Sequence, residues 1–230
     1  MTQEHDIEVV VFDVLGTMVD QPGGLRAAIR DAVPGADEAS VGRLLAVWEG
    51  HVEHEQRRIE GGERPYADSA VLDREAAGRV AEHAGLTDPA TVRHLATASQ
   101  RLDPWEDSRA GLARLARLFP VLGLTHASRA TLLRLNARTG LRWHQALSAE
   151  DARAFKPAKE VYQLALDTAC CSPERVLMIA AHAWDLRGAQ AVGMRTAYVQ
   201  RPGGDPPGET DTFDWRADSL EELATVLTAG

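Results

Sequence analysis

Four polar side chains stand where apolar runs end. Asp13 follows Val9-Val10-Val11-Phe12, and Thr125 follows Leu122-Gly123-Leu124. Lys156 sits alone between Phe155 and Pro157, and Asp185 closes the run from Val176 through Trp184. A carboxylate is a modest nucleophile, so a site that uses one must hold it ionised, aligned and poorly hydrated against an electrophilic carbon or phosphorus. Lys156 can keep Asp13 charged; it is one of two lysines, with Lys159, among 25 basic residues. Thr17 and Thr125 offer hydroxyl donors, and the amides of residues 14–17 and 126–127 could form an anion-binding concavity. Plainer readings stand beside these: Asp13 as a turn residue bonding the loop amides ahead of Gly16, the hydroxyls as loop caps, and Lys156-Pro157 as a surface pair.

The elements that must position these groups alternate between strand and helix types, as βαβ units require. Residues 7–13, 119–125, 176–181 and 195–199 read as parallel strands. Residues 109–118, 129–138, 158–169, 184–192 and 219–228 read as helices, the last capped by Asp218 or Ser219. Such sheets place their chemistry beyond the carboxyl ends of the strands, where all four polar residues fall. Between the first two strands no strand signal occurs. Segments 23–33, 38–60, 69–85 and 89–101 carry helical spacing, as in Val41, Leu44, Leu45 and Trp48, with breaks at Gly61-Gly62 and Thr87-Asp88-Pro89. The expectation is an α/β fold: a Rossmann-like parallel sheet core over 1–20 and 103–230 with helices on both faces, and an inserted helical cap over 21–102.

Asp, Thr, Lys and Asp in this order resemble the four motifs of the haloacid dehalogenase superfamily, over a span from Val9 to about Arg201. Phosphatases of that superfamily carry a second Asp two residues after the nucleophile, to protonate a leaving alcohol, and two acidic groups near the third strand's end to hold magnesium. Here those positions are Leu15 and, four before Asp185, Ala181. Both departures argue against a magnesium phosphatase and leave carbon as the centre of attack. The L-2-haloacid dehalogenase (type II) branch is the better match. Gly16-Thr17, Phe155-Lys156-Pro157 with Tyr162, Ala183-Trp184-Asp185 with Gly188-Ala189, and Gly61-Gly62-Glu63-Arg64-Pro65 all resemble it.

The resemblance implies that Asp13 displaces halide at the alpha carbon of a short 2-haloacid with inversion, forming an ester to the enzyme. Water then attacks the carboxyl carbon of Asp13 and releases the 2-hydroxyacid. Asp185, with Lys156, would orient Asp13 or help activate that water. No metal and no cofactor are implied, and a homodimer through the cap is. Thr17 and Thr125 complete the expected catalytic set; Leu15, His126, His182, Trp48, Glu49, Tyr162 and Trp184 are expected to face substrate.

Several positions depart from the branch. Glu49 in Ala46-Val47-Trp48-Glu49 stands where an Arg binds the leaving halide, Leu15 replaces an aromatic residue, and His126 replaces an Asn. Ala181 and His182 replace a Ser and an Asn. Two histidines change the proton inventory: either could serve as base or donor near neutral pH, or simply as a structural donor. Two other readings therefore stay open. One is a divergent member acting on another small electrophilic or phosphorylated metabolite; the other is a non-catalytic or repurposed pathway protein.

Composition bounds the partners. With 230 residues, 44% hydrophobic and 26% charged, the chain can bury a large core. A net charge of -9 and the lack of a basic stripe disfavour nucleic acid and anionic membrane, leaving a small-molecule substrate. No apolar run approaches the roughly 20 residues that span a bilayer, and the acidic start Met1-Thr2-Gln3-Glu4-His5-Asp6 is unlike a signal peptide, so a cytoplasmic protein is expected. Adjacent Cys170 and Cys171 read as buried or half-buried free thiols, too few for a zinc site. Residues 201–208 read as a flexible surface loop with a solvated acidic tail through Asp214. No dinucleotide, triphosphate or serine-hydrolase signature occurs.

Overall fold

The computed structural model describes residues 6–228; the reading of residues 1–5 lies outside the described residues. Six parallel strands form one sheet in the order β3-β2-β1-β4-β5-β6. They are β1 (Val9–Asp13), β2 (Val121–Thr125), β3 (Gln145–Ser148), β4 (Val176–Ala180), β5 (Arg195–Val199) and β6 (Trp215–Ala217). Every residue of β1, β2 and β4 is buried, as strands covered on both faces must be. β3 and β6 have no counterpart in the sequence reading. Gln145-Ala146-Leu147-Ser148 has no β-branched residue and β6 has three residues, so neither carries a strand pattern.

Alternation along β1 sends its side chains into two cores. Val10 and Phe12 join Leu112 and Leu115 of α5 (Ser108–Leu115), Leu135 of α6 (Arg129–Thr139) and Leu220 and Leu223 of α9 (Leu220–Thr228). Val9 and Val11 join Val161, Tyr162 and Ala165 of α7 (Lys159–Ala169) and Leu186 and Ala189 of α8 (Ala183–Ala191) on the other face. Helices thus cover both faces, and each such buried aliphatic contributes on the order of 1.5–3 kcal/mol.

A helical insertion lies between β1 and β2. It comprises α1 (Gln21–Ala32), α2 (Glu38–Glu60), α3 (Ser69–Ala84) and α4 (Pro89–Leu95), around a third core that includes Leu25, Ile29, Val41, Leu45, Trp48, Ala76, Val80 and Leu95. Aspartates start its helices: Asp37 accepts from Ser40 N at 2.8 Å, Asp68 from Ala70 N at 2.9 Å, and Asp88 from Thr91 N at 2.9 Å. Arg64, just past the Gly61-Gly62 turn, donates to Glu75 of α3 at 2.7 Å and also bonds buried Glu55 of α2, locking the two helices together. The segment expected as one helix over 89–101 ends at Leu95. The Arg101 guanidinium donates to the carbonyls of His94 (2.9 Å) and Thr97 (3.0 Å), which a continuing helix would have used.

Three surface expectations need correction: the flexible loop, the solvated acidic tail and the enclosed Cys170. Residues 201–205 are anchored rather than flexible: Asp205 N donates to Ala181 O at 3.0 Å, Ala183 N donates to Asp205 O at 2.9 Å, and the Asp205 carboxylate accepts from Trp184 N at 3.1 Å in the first turn of α8. Asp211 and Asp214 pair with Arg187 (2.8 Å) and Arg195 (2.6 Å) rather than standing in water alone. Cys170 is exposed and ends α7 in a left-handed conformation, while Cys171 is half-buried. Among the described residues no helix is long and apolar enough to cross a membrane.

Candidate active site

The strand order reverses between β1 and β4, and the crevice beyond their carboxyl ends is where an open α/β sheet binds ligands. Asp13 ends β1 there. Lys156, from the loop before α7, donates its ammonium to Asp13 Oδ1 at 2.9 Å and to Asp185 Oδ2 at 2.7 Å. The Thr17 hydroxyl donates to Asp13 Oδ2 at 2.7 Å and accepts from Ala181 N at 3.0 Å, tying the β1 loop to the end of β4. All three ionisable side chains are nearly enclosed, yet Asp13 keeps an edge on the cavity.

Burial opposes ionisation of Asp13, but the Lys156 ammonium, then His182 and the Thr17 hydroxyl, hold its carboxyl below the usual carboxylate range. Burial likewise opposes the Lys156 charge, and the two carboxylates outweigh it, raising its pKa. Asp185 goes the other way: burial, with Asp13 nearby, raises its carboxyl despite Lys156. Two acids share one ammonium, and their surroundings favour the carboxylate form more at Asp13 than at Asp185.

Asp185 is fully buried behind this arrangement. Its Oδ1 accepts from the Tyr162 hydroxyl at 2.7 Å and its Oδ2 is taken by Lys156. Tyr162 reaches it across Gly188, where a Cβ would fall 2.3 Å from the Tyr162 oxygen. Gly16 is required for two reasons: its φ is +82°, and a Cβ would meet His182 Nε2 at 2.6 Å.

A cavity of about 490 Å³ opens over Asp13. The core side is walled by Leu15, His126, Phe155, Lys156, His182 and Trp184, and the insertion side by Val52, Glu53, Gln56, Arg57, Asp73 and Ser99. A larger hollow of about 620 Å³ beside Trp105, Asp107 and Arg201 contains no motif residue, so the chemistry belongs to the smaller one. Trp184 stacks with both histidines, 6.0 Å from His126 and 5.8 Å from His182 between ring centres. His126 Nε2 accepts the Lys156 backbone N–H at 2.8 Å; burial, followed by the nearby ammonium, pushes its pKa down to about 3.

The loop carrying Gly16 and Thr17 is also clamped from outside. Trp105 Nε1 donates to Gly16 O at 3.0 Å and Arg201 Nε to Thr17 O at 2.9 Å. Asp107 holds Arg201 through both carboxylate oxygens, at 2.7 and 3.1 Å, and accepts Leu220 N at 2.8 Å.

Among the residues expected to act together, Asp13, Thr17, Lys156 and Asp185 converge, with Leu15, His126, His182 and Trp184 on the cavity wall. Others fall elsewhere. Thr125 is fully buried and accepts from Ala127 N at 3.2 Å, the loop-capping role. Tyr162 is buried behind Asp185 and does not line the cavity. Trp48, 2% exposed, packs inside the insertion core, because the apolar stripe of α2 faces α1 and α3. Glu49 is exposed and outside the cavity lining. Two of the amides expected to bind an anion are already used, Gly16 N by Val19 O and Ala127 N by Thr125 Oγ1. Arg57, Gln56, Asp73 and Ser99 escaped the sequence reading. For Gln56 and Arg57 the one signal is helical phase, since Glu49, Glu53, Gln56, Arg57 and Glu60 recur at three- and four-residue steps opposite the apolar stripe of α2. Among the described residues, no group of three or more His, Cys, Asp or Glu is placed to hold a metal ion.

The family model for haloacid dehalogenase-like hydrolases matches residues 7–193. A relative from Pseudomonas putida, (S)-2-haloacid dehalogenase H-109, is 31% identical over 227 residues, covering 96% of this chain and 98% of that protein. A crystal structure of an L-2-haloacid dehalogenase superposes with a TM-score of 0.87 at 27% identity, covering 97% of this chain and all of that one. The Xanthobacter autotrophicus L-2-haloacid dehalogenase with chloropropionic acid covalently bound gives 0.81 at 25% identity, over 97% of this chain and 100% of that chain. The match over most of the chain, and the shared sheet with its inserted helices, place this protein in the haloacid dehalogenase-like hydrolase family.

Proposed function

We propose that this enzyme hydrolyses the carbon–halogen bond of a short 2-haloacid, with Asp13 as the nucleophile and no metal ion. The observation that carries the reading is the Lys156 ammonium, 2.9 Å from Asp13 and 2.7 Å from Asp185, at the floor of a cavity whose wall has Leu15 where a proton donor for a leaving alcohol would stand. A halide leaves without a proton, so an apolar residue there suits carbon–halogen cleavage and not phosphate-ester cleavage. Lys156 and Thr17 each occupy one Asp13 oxygen and leave further lone pairs for attack on the alpha carbon. Halide departs, an ester forms between substrate and Asp13, and water cleaves that ester to give the 2-hydroxyacid.

In this reading residues 1–20 and 103–230 are the catalytic core and 21–102 the cap that closes the cavity. The substrate is an anion, and Lys156 is already shared by two acids. Arg57, held by Glu53 at 3.2 Å, is the other cation on the cavity wall and is the anchor we assign to the substrate carboxylate or the departing halide. The test is halide release from (S)-2-chloropropionate in the presence of a chelator, followed by mass spectrometry of the peptide carrying Asp13 after turnover in ¹⁸O-water. Metal-independent release with label in Asp13 is expected; release that needs magnesium, or an unlabelled Asp13, overturns the reading.

A further inference from the structure

An ester at Asp13 is cleaved only if some group takes a proton from the attacking water, and the enclosure of the obvious candidates narrows which group that is. Asp185 is 0% exposed, has each oxygen occupied by Tyr162 or Lys156, and is absent from the cavity wall, so no water touching Asp13 from the cavity reaches it. Lys156 is an ammonium without a lone pair. His126 spends Nε2 on the Lys156 backbone N–H, so its neutral ring carries the proton on Nδ1 and is a donor only. Asp73, Glu53 and Glu60 stand on the insertion side of the cavity, on α3 and α2, and not on the core side that carries Asp13.

His182 remains. It lines the same cavity as Asp13. Its ring rests on Trp184 and against Gly16 in the loop following the nucleophile, and no hydrogen bond among the described residues occupies either ring nitrogen. Its backbone is held on both sides, since Asp205 pairs with Ala181 O and Ala183 N. A fixed ring with an unoccupied nitrogen, on the wall of the cavity that opens over Asp13, is the geometry a general base needs.

We propose that His182 is the general base of ester hydrolysis, which rests on the reading of Asp13 as the nucleophile. As the water oxygen bonds to the Asp13 carboxyl carbon, one water proton moves to the imidazole. The tetrahedral intermediate then breaks its bond to the substrate oxygen, which takes the proton back from His182 and leaves as the 2-hydroxyacid. Asp13 ends as a carboxylate beside Lys156 after losing the remaining water proton to solvent. His182 has no part in the first, halide-releasing displacement.

Rapid mixing of the full-length His182→Ala and His182→Asn variants with (S)-2-chloropropionate separates the two half-reactions. The expected result is a burst of one halide per site at about the wild-type rate, followed by turnover slowed on the order of 10²–10⁴-fold. Intact-mass spectrometry should show the substrate ester accumulating on the enzyme, and added imidazole should speed its decay in His182→Ala but not in wild type. Turnover within threefold of wild type without accumulated ester overturns the proposal. So does loss of the burst together with turnover in a folded variant, which would give His182 a role before the ester exists. Should His182→Ala not fold, the Asn variant decides by the same burst and adduct. Absence of halide release from the wild-type enzyme would instead strike the dehalogenase reading itself, a separate outcome.

Discussion

Gly188 and Tyr162 approach so closely that a methyl group on the glycine would lie 2.3 Å from the phenol oxygen. The hydroxyl needs that space because it continues 2.7 Å to Asp185 Oδ1, in a position with no exposure to water. Gly188→Ala should therefore push the ring away and leave a buried carboxylate oxygen without its donor, at a combined cost of about 2–4 kcal/mol in unfolding free energy. Tyr162→Phe removes the donor alone and should cost about 1–3 kcal/mol. The two losses should be strongly non-additive in urea unfolding, and additivity would mean that the glycine acts through something other than the phenol.

Lys156→Met leaves Asp13 and Asp185 buried with no cation between them. Breaking such a pair from one side costs about 3–5 kcal/mol when the acids are charged. Without the ammonium both carboxyls have folded-state pKa values above their unfolded ones. The stability of the variant is then greatest in acid and falls as pH rises through those raised values. Unfolding curves should show the gap between variant and wild type widening from pH 4 to pH 8, with no measurable halide release at any pH.

Asp73 supplies a second pH dependence, on the insertion side of the cavity. Burial pushes its carboxyl up to about 7, against the ordinary 3.8, with the Ser99 hydroxyl opposing the rise. A folded pKa above the unfolded one means that protonation favours the fold, so this stability is present below about pH 4 and is lost as pH climbs to 7. The difference corresponds to at most about 4 kcal/mol. Asp73→Asn should match wild type in acid and exceed it in stability at pH 8, as read from thermal midpoints across that range.

Arg57 and Glu49 lie two helical turns apart on α2, and opposite outcomes are expected of them. Arg57→Gln should raise KM for (S)-2-chloropropionate about tenfold, equivalent to about 1.4 kcal/mol, with kcat changed less than about threefold. Glu49 is exposed and outside the cavity lining, so Glu49→Gln should leave kcat/KM within about twofold. A large effect at Glu49 with none at Arg57 would reverse the assignment of the anion anchor.

The parts of the fold that could be read from sequence are those where one residue type serves local and global demands together. Val9-Val10-Val11-Phe12 is both strand-forming and buried on two faces, and Asp37, Asp68 and Asp88 announce helix starts that the structure uses. β3 could not be read because its residues have no strand preference and pair only by lying next to β2. The floor of the site was similarly accessible, since strand ends fix Asp13 and the residues following β4. Its roof was not. Which residues of α2 and α3 meet the nucleophile depends on how the insertion leans over the sheet, and a stripe of Glu53, Gln56 and Arg57 looks like any solvated face until that contact is seen. Trp48 misled for the converse reason: a large aromatic beside a motif position is as suited to the insertion's interior as to a pocket.

The double grip of Asp107 on Arg201 and on the first amide of α9 gives the far end of the chain a say in chemistry at its beginning. Arg201 in turn holds the carbonyl of Thr17, whose hydroxyl sets the orientation of Asp13. Loosening α9 would thus reach the Asp13 carboxylate through four polar links and no substrate contact. The last helix is a tensioning strut for the reactive loop as well as a lid on the sheet.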